Sequence, residues 1–273
     1  MPSQPPQMES HTPPVTIREL TTIEEFDACV RLQREVFGLE DLELSPRRHL
    51  IVARQAGGWV LGAFVEGELA GFVHHLVAVR GRDEIIGYSH MMAVSPTRQN
   101  LGLGARLKWA QRERALAEGR RFIKWTWDPL RARNAHFNLN RLGVVVRHYA
   151  VNFYGTDYGT APGEIGQQHG IDSDRIVAEW ELNSPRVEGC ARAGQPSTPR
   201  GELAAASIVI PPDWGALLRE DPQAAQQELL RVRSEFQQAF AAGFVCAGFE
   251  RSATAPRYLF YNQVSDVRPQ VSG

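Results

Sequence analysis

The stretch "MMAVSPTRQNLGLGARLKWAQRERALAEG", residues 91–119, constrains this chain more than any other. An apolar strand end runs into a polar turn, then glycines at 102 and 104, then a run of strong helix formers. A helix opened in this way leaves its first amides without partners. Glycine lets a ligand come close to the backbone, and the free N–H groups with the positive end of the helix dipole suit a phosphate. A Rossmann fingerprint needs three glycines in G-x-G-x-x-G with an acidic residue about 20 positions on, and a P-loop needs Gly-Lys-Ser/Thr. Neither is present, which disfavours NAD binding and nucleotide hydrolysis and leaves a pyrophosphate-bearing ligand as the fit.

The surroundings predict an α/β fold. Residues 15–20 read as a short strand, and Thr22 with Glu25 has capping-box spacing ahead of a helix that ends near Gly38. A second helical piece follows Pro46 and stops at Gly57-Gly58. Residues 58–96 read as a three-strand antiparallel meander, because apolar runs alternate with the turns at 66–68 and 80–83. From Gly102 the period changes, and Leu103, Leu107, Ala110 and Ala117 share one helical face up to Gly119. The strand "RFIKWTWDP", the short helix "RNAHFNLNRLG" and the strand "VVVRHYAVNFYG" follow, then a long loop over 155–175 and the strand "RIVAEWEL". The order predicts a mixed, largely antiparallel central sheet flanked by helices. Residues 1–14 have the composition of a disordered tail and 183–202 that of a linker. Residues 203–265 read as a smaller C-terminal α/β unit, with a long helix opened by Asp221-Pro222 and buried through Ala225, Leu229, Val232 and Phe236.

Composition narrows the functional classes. A formal charge of −1 over 273 residues implies no field that gathers nucleic acid or anionic membrane. Cys29, Cys190 and Cys246 are scattered with no CxxC pair, which argues against a disulfide framework and a cysteine zinc site, and a reducing cytoplasmic setting is expected. No apolar run approaches a membrane span.

Gln99, Gly102 and Gly104 fill the Q/R-x-x-G-x-G/A signature of the GNAT superfamily of N-acyltransferases, and the strand, signature, helix and strand order over residues 15–153 is similar to that family's. More narrowly, "WTWDPL", "FNLNRLG" and "YAVNFYG" resemble a little-characterised group of long GNAT proteins, some proposed to acylate amino acids from succinyl-CoA. The resemblance implies a domain over 15–182 that takes acetyl-CoA or succinyl-CoA as donor and a small-molecule amine as acceptor, without a metal; a homodimer is left open. In the family the pantetheine arm pairs with the splayed fourth strand, here Met92 and Val94, whose side chains also read as plain core. The diphosphate lies on the amides of Gln99, Asn100, Leu101, Gly102, Leu103, Gly104 and Ala105. Asn134 resembles the family's pantetheine asparagine, or caps the short helix.

Direct attack of an amine on a thioester needs a base, a polarised carbonyl and a proton for the leaving thiolate. His90 is the candidate base: strand alternation puts it on the face of Met92 and Tyr88, and arylalkylamine acetyltransferases carry a histidine at the similar place. The alternative is a hydrogen-bonded core histidine. Leu139 stands where the family has its acid tyrosine, so Tyr149, Tyr154 or Tyr158 is asked to serve, Tyr149 first, or the coenzyme thiolate leaves without a dedicated acid. Trp127 and Asp128 would wall the pocket and hold the acceptor ammonium, and Arg147 and Arg175 would clamp a carboxylate. The rival reading is a non-catalytic acyl-CoA-binding module, favoured by Leu139.

Overall fold

The computed structural model describes residues 14–38, 41–99, 101–156, 170–193 and 203–262. The chain enters through β1 (Val15–Glu19), an edge strand antiparallel to β2 (Trp59–Val65). Between them α1 (Ile23–Phe37) has the expected capping box, with Thr22 Oγ1 accepting from the Glu25 amide and the Glu25 carboxylate accepting from the Thr22 amide. It ends at Gly38, whose φ of 62° is the left-handed conformation that glycine adopts without cost. Helix α2 (Arg47–Gln55) precedes the meander of β2, β3 (Glu68–Arg80) and β4 (Glu84–Val94), antiparallel throughout.

The meander carries one irregularity. His74 lies opposite Met91 but His75 lies opposite Ser89, so His90 is an extra residue bulging from β4. The bulge resets the alternation on which the expected facing of His90 rested. Met92 packs with Leu103 and Leu107, whereas His90 turns to the opposite face with Met91, among Ser45, His49 and the residues of α1 and α2.

After β4, a turn at Pro96–Arg98 leads to α3 (Leu103–Ala117), and β5 (Phe122–Trp127) follows. Leu103 and Leu107 are buried as the periodicity predicts, but the buried arc of α3 also takes in Lys108 and Gln111. Helix α4 (Ala132–Ala135) runs on into a wider π-type turn over His136–Arg141, and β7 (Arg175–Glu181) pairs antiparallel with both β5 and β6 (Val145–Ala150). Of the loop expected over 155–175, residues 157–169 lie outside the described residues, as do 1–13 of the expected tail.

The expected linker opens instead as helix α5 (Pro185–Ala193). Its Pro, Gly and Arg content hides Val187 and Cys190, three positions apart and both buried, which give it an apolar face to dock. Residues 194–202 lie outside the described residues. Past them, β8 (Ala206–Val209), α6 (Trp214–Glu220), α7 (Pro222–Ala241), β9 (Val245–Glu250) and β10 (Arg257–Tyr261) complete the chain. Asp221 caps α7 with Pro222 in its first turn, and the four expected side chains form its buried face. The short α6, capped by Asp213, was not foreseen.

The C-terminal strands continue the main sheet, whose order is β1-β2-β3-β4-β5-β7-β6-β9-β10-β8. The joint is narrow, a single paired position, Val146 with Cys246. Asn140 widens it: its amide donates to the Phe249 carbonyl at 2.8 Å and accepts from the Phe249 amide at 2.9 Å, reproducing with a side chain what a strand does with backbone. One core runs under both parts, from Trp125 and Trp180 to Phe236 and Tyr258. The strands of the C-terminal part were readable in the sequence, but the edge they would join was not.

Candidate active site

Strand β4 meets β5 at only two positions, Gly87 with Ile123 and Tyr88 with Lys124, the sole parallel pairing among the described strands. Beyond them the two strands part, and the wedge between them opens into a cavity of about 640 Å³. Its walls come from β4 (Ser89 to Met92), β5 and the turn after it (Trp125 to Asp128), α4, Arg175 and the start of α6 (Pro212 to Gly215).

The first turn of α3 packs beside β4, where a Cβ at Gly104 would lie 3.6 Å from Met92 Cε. Gly102 is its N-cap, with φ at 71°, exposed, and no side chain hydrogen-bonds to the turn. The amides of Leu103, Gly104 and Ala105 are thereby left without a capping side chain. A Cβ at Gly102 would meet nothing within 4 Å, so it is the backbone conformation and not crowding that calls for glycine there. The Leu103 side chain is core, and the partly buried Leu101, Met92 and Val94 pack against the same cluster, Met92 also lining the cavity. Gln99 ends the preceding turn and accepts from Arg133 at 3.3 Å. Asn100 lies outside the described residues. Asn134 lines the cavity, and α4 has no side-chain cap from it.

His90 lines the cavity as well. Its Nε2 lies 3.0 Å from Ser45 Oγ. Ser45 is in turn fixed at both backbone groups by the buried side chain of Gln33, which accepts from the Ser45 amide at 2.8 Å and donates to its carbonyl at 3.1 Å. His49 and His74 stand edge-to-face with His90 and with each other, at 5.4 to 5.5 Å between ring centres. Burial, then the proximity of His49, holds the His90 pKa below the ordinary 6.5, so its ring is neutral at neutral pH, the form a base requires. His74, whose two ring nitrogens are buried without a partner, is pushed by burial and by these two neighbours down to about 3.

The fold brings Trp127, Asp128 and Arg175 to the same cavity and keeps Arg147 and Tyr149 out of it. Asp128 accepts from the Leu130 amide at 2.8 Å and pairs with Arg131. Arg175 stacks its guanidinium over Tyr154, 5.1 Å from the ring centre. Arg147 is paired with Glu179 at 2.7 Å on the far part of β6. Tyr149 donates to Asp174 at 2.6 Å, and burial together with that carboxylate drives its pKa far up, so its proton is already committed. Asp174 pairs with Arg233, not with its neighbour Arg175. Leu139 is fully buried, and Tyr158 lies outside the described residues.

Two cavity residues escaped the sequence reading. Lys108 is one of two lysines in the chain and is 2% exposed, and Ser89 precedes the bulge. A buried lysine at a helical position next to Leu107 is a signal that periodicity alone reads as solvated, because the arc that α3 buries is wider than its leucines mark.

Residues 22–143 match the family model described as Acetyltransferase (GNAT) family. No curated protein matches the chain. Among solved structures, a Desulfovibrio desulfuricans protein assigned to the GNAT family of acetyltransferases superposes with a TM-score of 0.50 at 18% identity, over 62% of this chain and 99% of its own. The ribosomal-protein-S18-alanine N-acetyltransferase from Escherichia coli superposes with a TM-score of 0.48 at 16% identity, over 62% and 94%. A GNAT family acetyltransferase from Elizabethkingia anophelis with acetyl-CoA bound gives 0.45 at 16% identity, over 61% and 97%. At these identities the likeness is one of fold, and it is the family model that identifies residues 22–143 as an acetyltransferase domain of the GNAT family.

Proposed function

We propose that this protein moves an acyl group, acetyl or succinyl, from an acyl-CoA thioester to the amine of a small molecule, an amino acid being the acceptor class. The observation that carries the reading is the uncapped first turn of α3 beside the parted strands β4 and β5, which offers amides for a diphosphate next to a cavity sized for the reacting groups. The diphosphate lies on the amides that follow Gly102, and the pantetheine arm runs along β4 past Met92. Because the bulge takes His90 out of the ladder, its amide is a donor for the thioester carbonyl, and its neutral ring accepts the acceptor's proton. Asp128 attracts the acceptor ammonium and Arg175 a carboxylate.

Acetyl-CoA and succinyl-CoA titrated by calorimetry, followed by a thiol-release assay against pooled amino acids and small amines, test the proposal. Micromolar binding and amine-dependent CoA release are expected; no binding of either thioester overturns it. One observation favours the rival, a module that binds acyl-CoA without turnover: Leu139, sealed in the core, removes the tyrosine that the resemblance leads one to expect. Tight binding with no release for any amine would decide for that rival.

A further inference from the structure

A buried polar chain that neither the family resemblance nor the proposed base uses reaches the cavity at Lys108 and Ser89. His75 stacks on Trp59, ring centres 4.0 Å apart, and its Nδ1 takes a hydrogen bond from Gln111 Nε2 at 3.2 Å. That contact fixes which end of the Gln111 amide faces Lys108, whose Nζ donates to Gln111 Oε1 at 2.7 Å. Lys108 Nζ also donates to Ser89 Oγ at 3.1 Å and sits over the Trp125 ring, 3.6 Å from its centre, with Trp180 5.0 Å away. Three directions around the ammonium are thus filled by two neutral oxygens and an aromatic face. No carboxylate of the described residues perturbs it; burial alone drives its pKa well below the ordinary lysine value.

The direction of the Lys108–Ser89 bond matters. Ser89 Oγ accepts from Lys108, so its own proton points elsewhere, and Ser89 makes no other hydrogen bond among the described residues. Both residues line the cavity, at the point where β4 and β5 begin to part. A hydroxyl that accepts a hydrogen bond from a buried lysine Nζ is a stronger donor than a free serine. It lines the same cavity, while Tyr149 is tied to Asp174.

We infer that Ser89, backed by Lys108, is the acid of this site and delivers the proton that the departing thiolate takes. The inference rests on the proposed acyl transfer. The acceptor nitrogen bonds to the thioester carbon, the C–S bond breaks with its electron pair on sulfur, and sulfur takes the Ser89 hydroxyl proton. The Ser89 oxygen takes a proton from the Lys108 ammonium. The proton that the acceptor nitrogen sheds to His90 restores Lys108 before the next turnover, so the cycle is neutral overall. Ser89 is the catalytic group and Lys108 its positioning and proton-supplying partner. Burial makes that ammonium a better acid, and the Gln111–His75 contact keeps it aimed.

The test needs no acceptor. Coenzyme A itself is bound to the full chain and its thiol titrated through the ultraviolet absorbance of the thiolate, with CoA affinity followed by calorimetry. A donor and a cation beside the sulfur should lower the thiol pKa of bound CoA by about one unit or more from that of free CoA. Ser89→Ala and Lys108→Met should each return it to the free value while the diphosphate keeps CoA bound, and Ser89→Thr, which keeps the hydroxyl, should retain the shift. A bound thiol that titrates like the free one, or a shift that survives Ser89→Ala, overturns the assignment. Should Lys108→Met fail to fold, the two serine variants decide. Wild-type protein that binds no CoA overturns the acyl-CoA reading itself, an outcome that calorimetry separates from the others.

Discussion

Arg233 grips Asp174 with two hydrogen bonds, Nε to Oδ2 at 2.7 Å and Nη2 to Oδ1 at 2.8 Å, and so fastens α7 to the approach of β7. The same carboxylate accepts from the Tyr149 hydroxyl and the Asn152 amide, and a second ion pair, Arg233 Nη2 donating to Asp172 Oδ2 at 2.6 Å, flanks it. The Asp174 side chain is wholly buried, so the ion pair's contribution lies less in attraction than in what its loss would expose.

Removing one partner leaves that carboxylate buried without its cation. Arg233→Met should destabilise the protein by about 3 kcal/mol, read as a lower urea midpoint with an unchanged slope. A midpoint equal to that of the wild type would show that water or a shifted side chain replaces the guanidinium.

His74 makes stability depend on pH. Its pKa is about 3 in the folded chain against 6.5 ordinarily, so the unfolded chain takes up the proton first as pH falls. Its contribution is complete above pH 6.5 and is lost downward through the window to about 3, at roughly 1.4 kcal/mol per pH unit. His75, held down to about 2, adds to the same slope. His74→Phe should therefore lose about 2 kcal/mol less than the wild type between pH 7 and pH 5. Parallel denaturation curves for the two proteins at both pH values would refute this.

His90 is neutral above its lowered pKa, so the acid limb of kcat/KM should fall below pH 6.5, not above it. His90→Gln should reduce turnover about 10²- to 10⁴-fold and remove that limb. Ser45→Ala, which frees the ring from its 3.0 Å partner, should produce a smaller loss with the limb preserved. Wild-type rates in His90→Gln across the pH range would dismiss it as the base.

Gly102→Ala adds no clash but places a side chain at a φ of 71°, which costs about 1 kcal/mol of stability and should leave acetyl-CoA affinity nearly unchanged. Gly102→Glu puts negative charge at the amides and should abolish measurable binding by calorimetry. Equal affinity in the two variants would place the diphosphate elsewhere.

The sequence marks its elements wherever the physical cause is local. Thr22 and Glu25, Asp221 and Pro222, and the glycines at 38 and 102 act within one turn of themselves, and each appears where it was expected. What escaped depends on partners far along the chain. The bulge at His90 is a property of the pairing between β3 and β4, and no alternation count along β4 alone can reveal it. Tyr149 and Arg147 were near the right strands but face Asp174, just before β7, and Glu179, on β7, whose register only the fold sets. Lys108 is the reverse case: a residue whose burial is made acceptable by Gln111 one turn along its own helix and by Ser89, Trp125 and Trp180, drawn from three other elements.

Pro212 to Gly215 face the cavity from the end of the chain opposite to β4. During synthesis the strands β2 to β5 leave the ribosome more than 80 residues before Trp214 does. The finished chamber exists only after translation has passed Gly215, so a chain cut short before that point would lack that wall of the cavity.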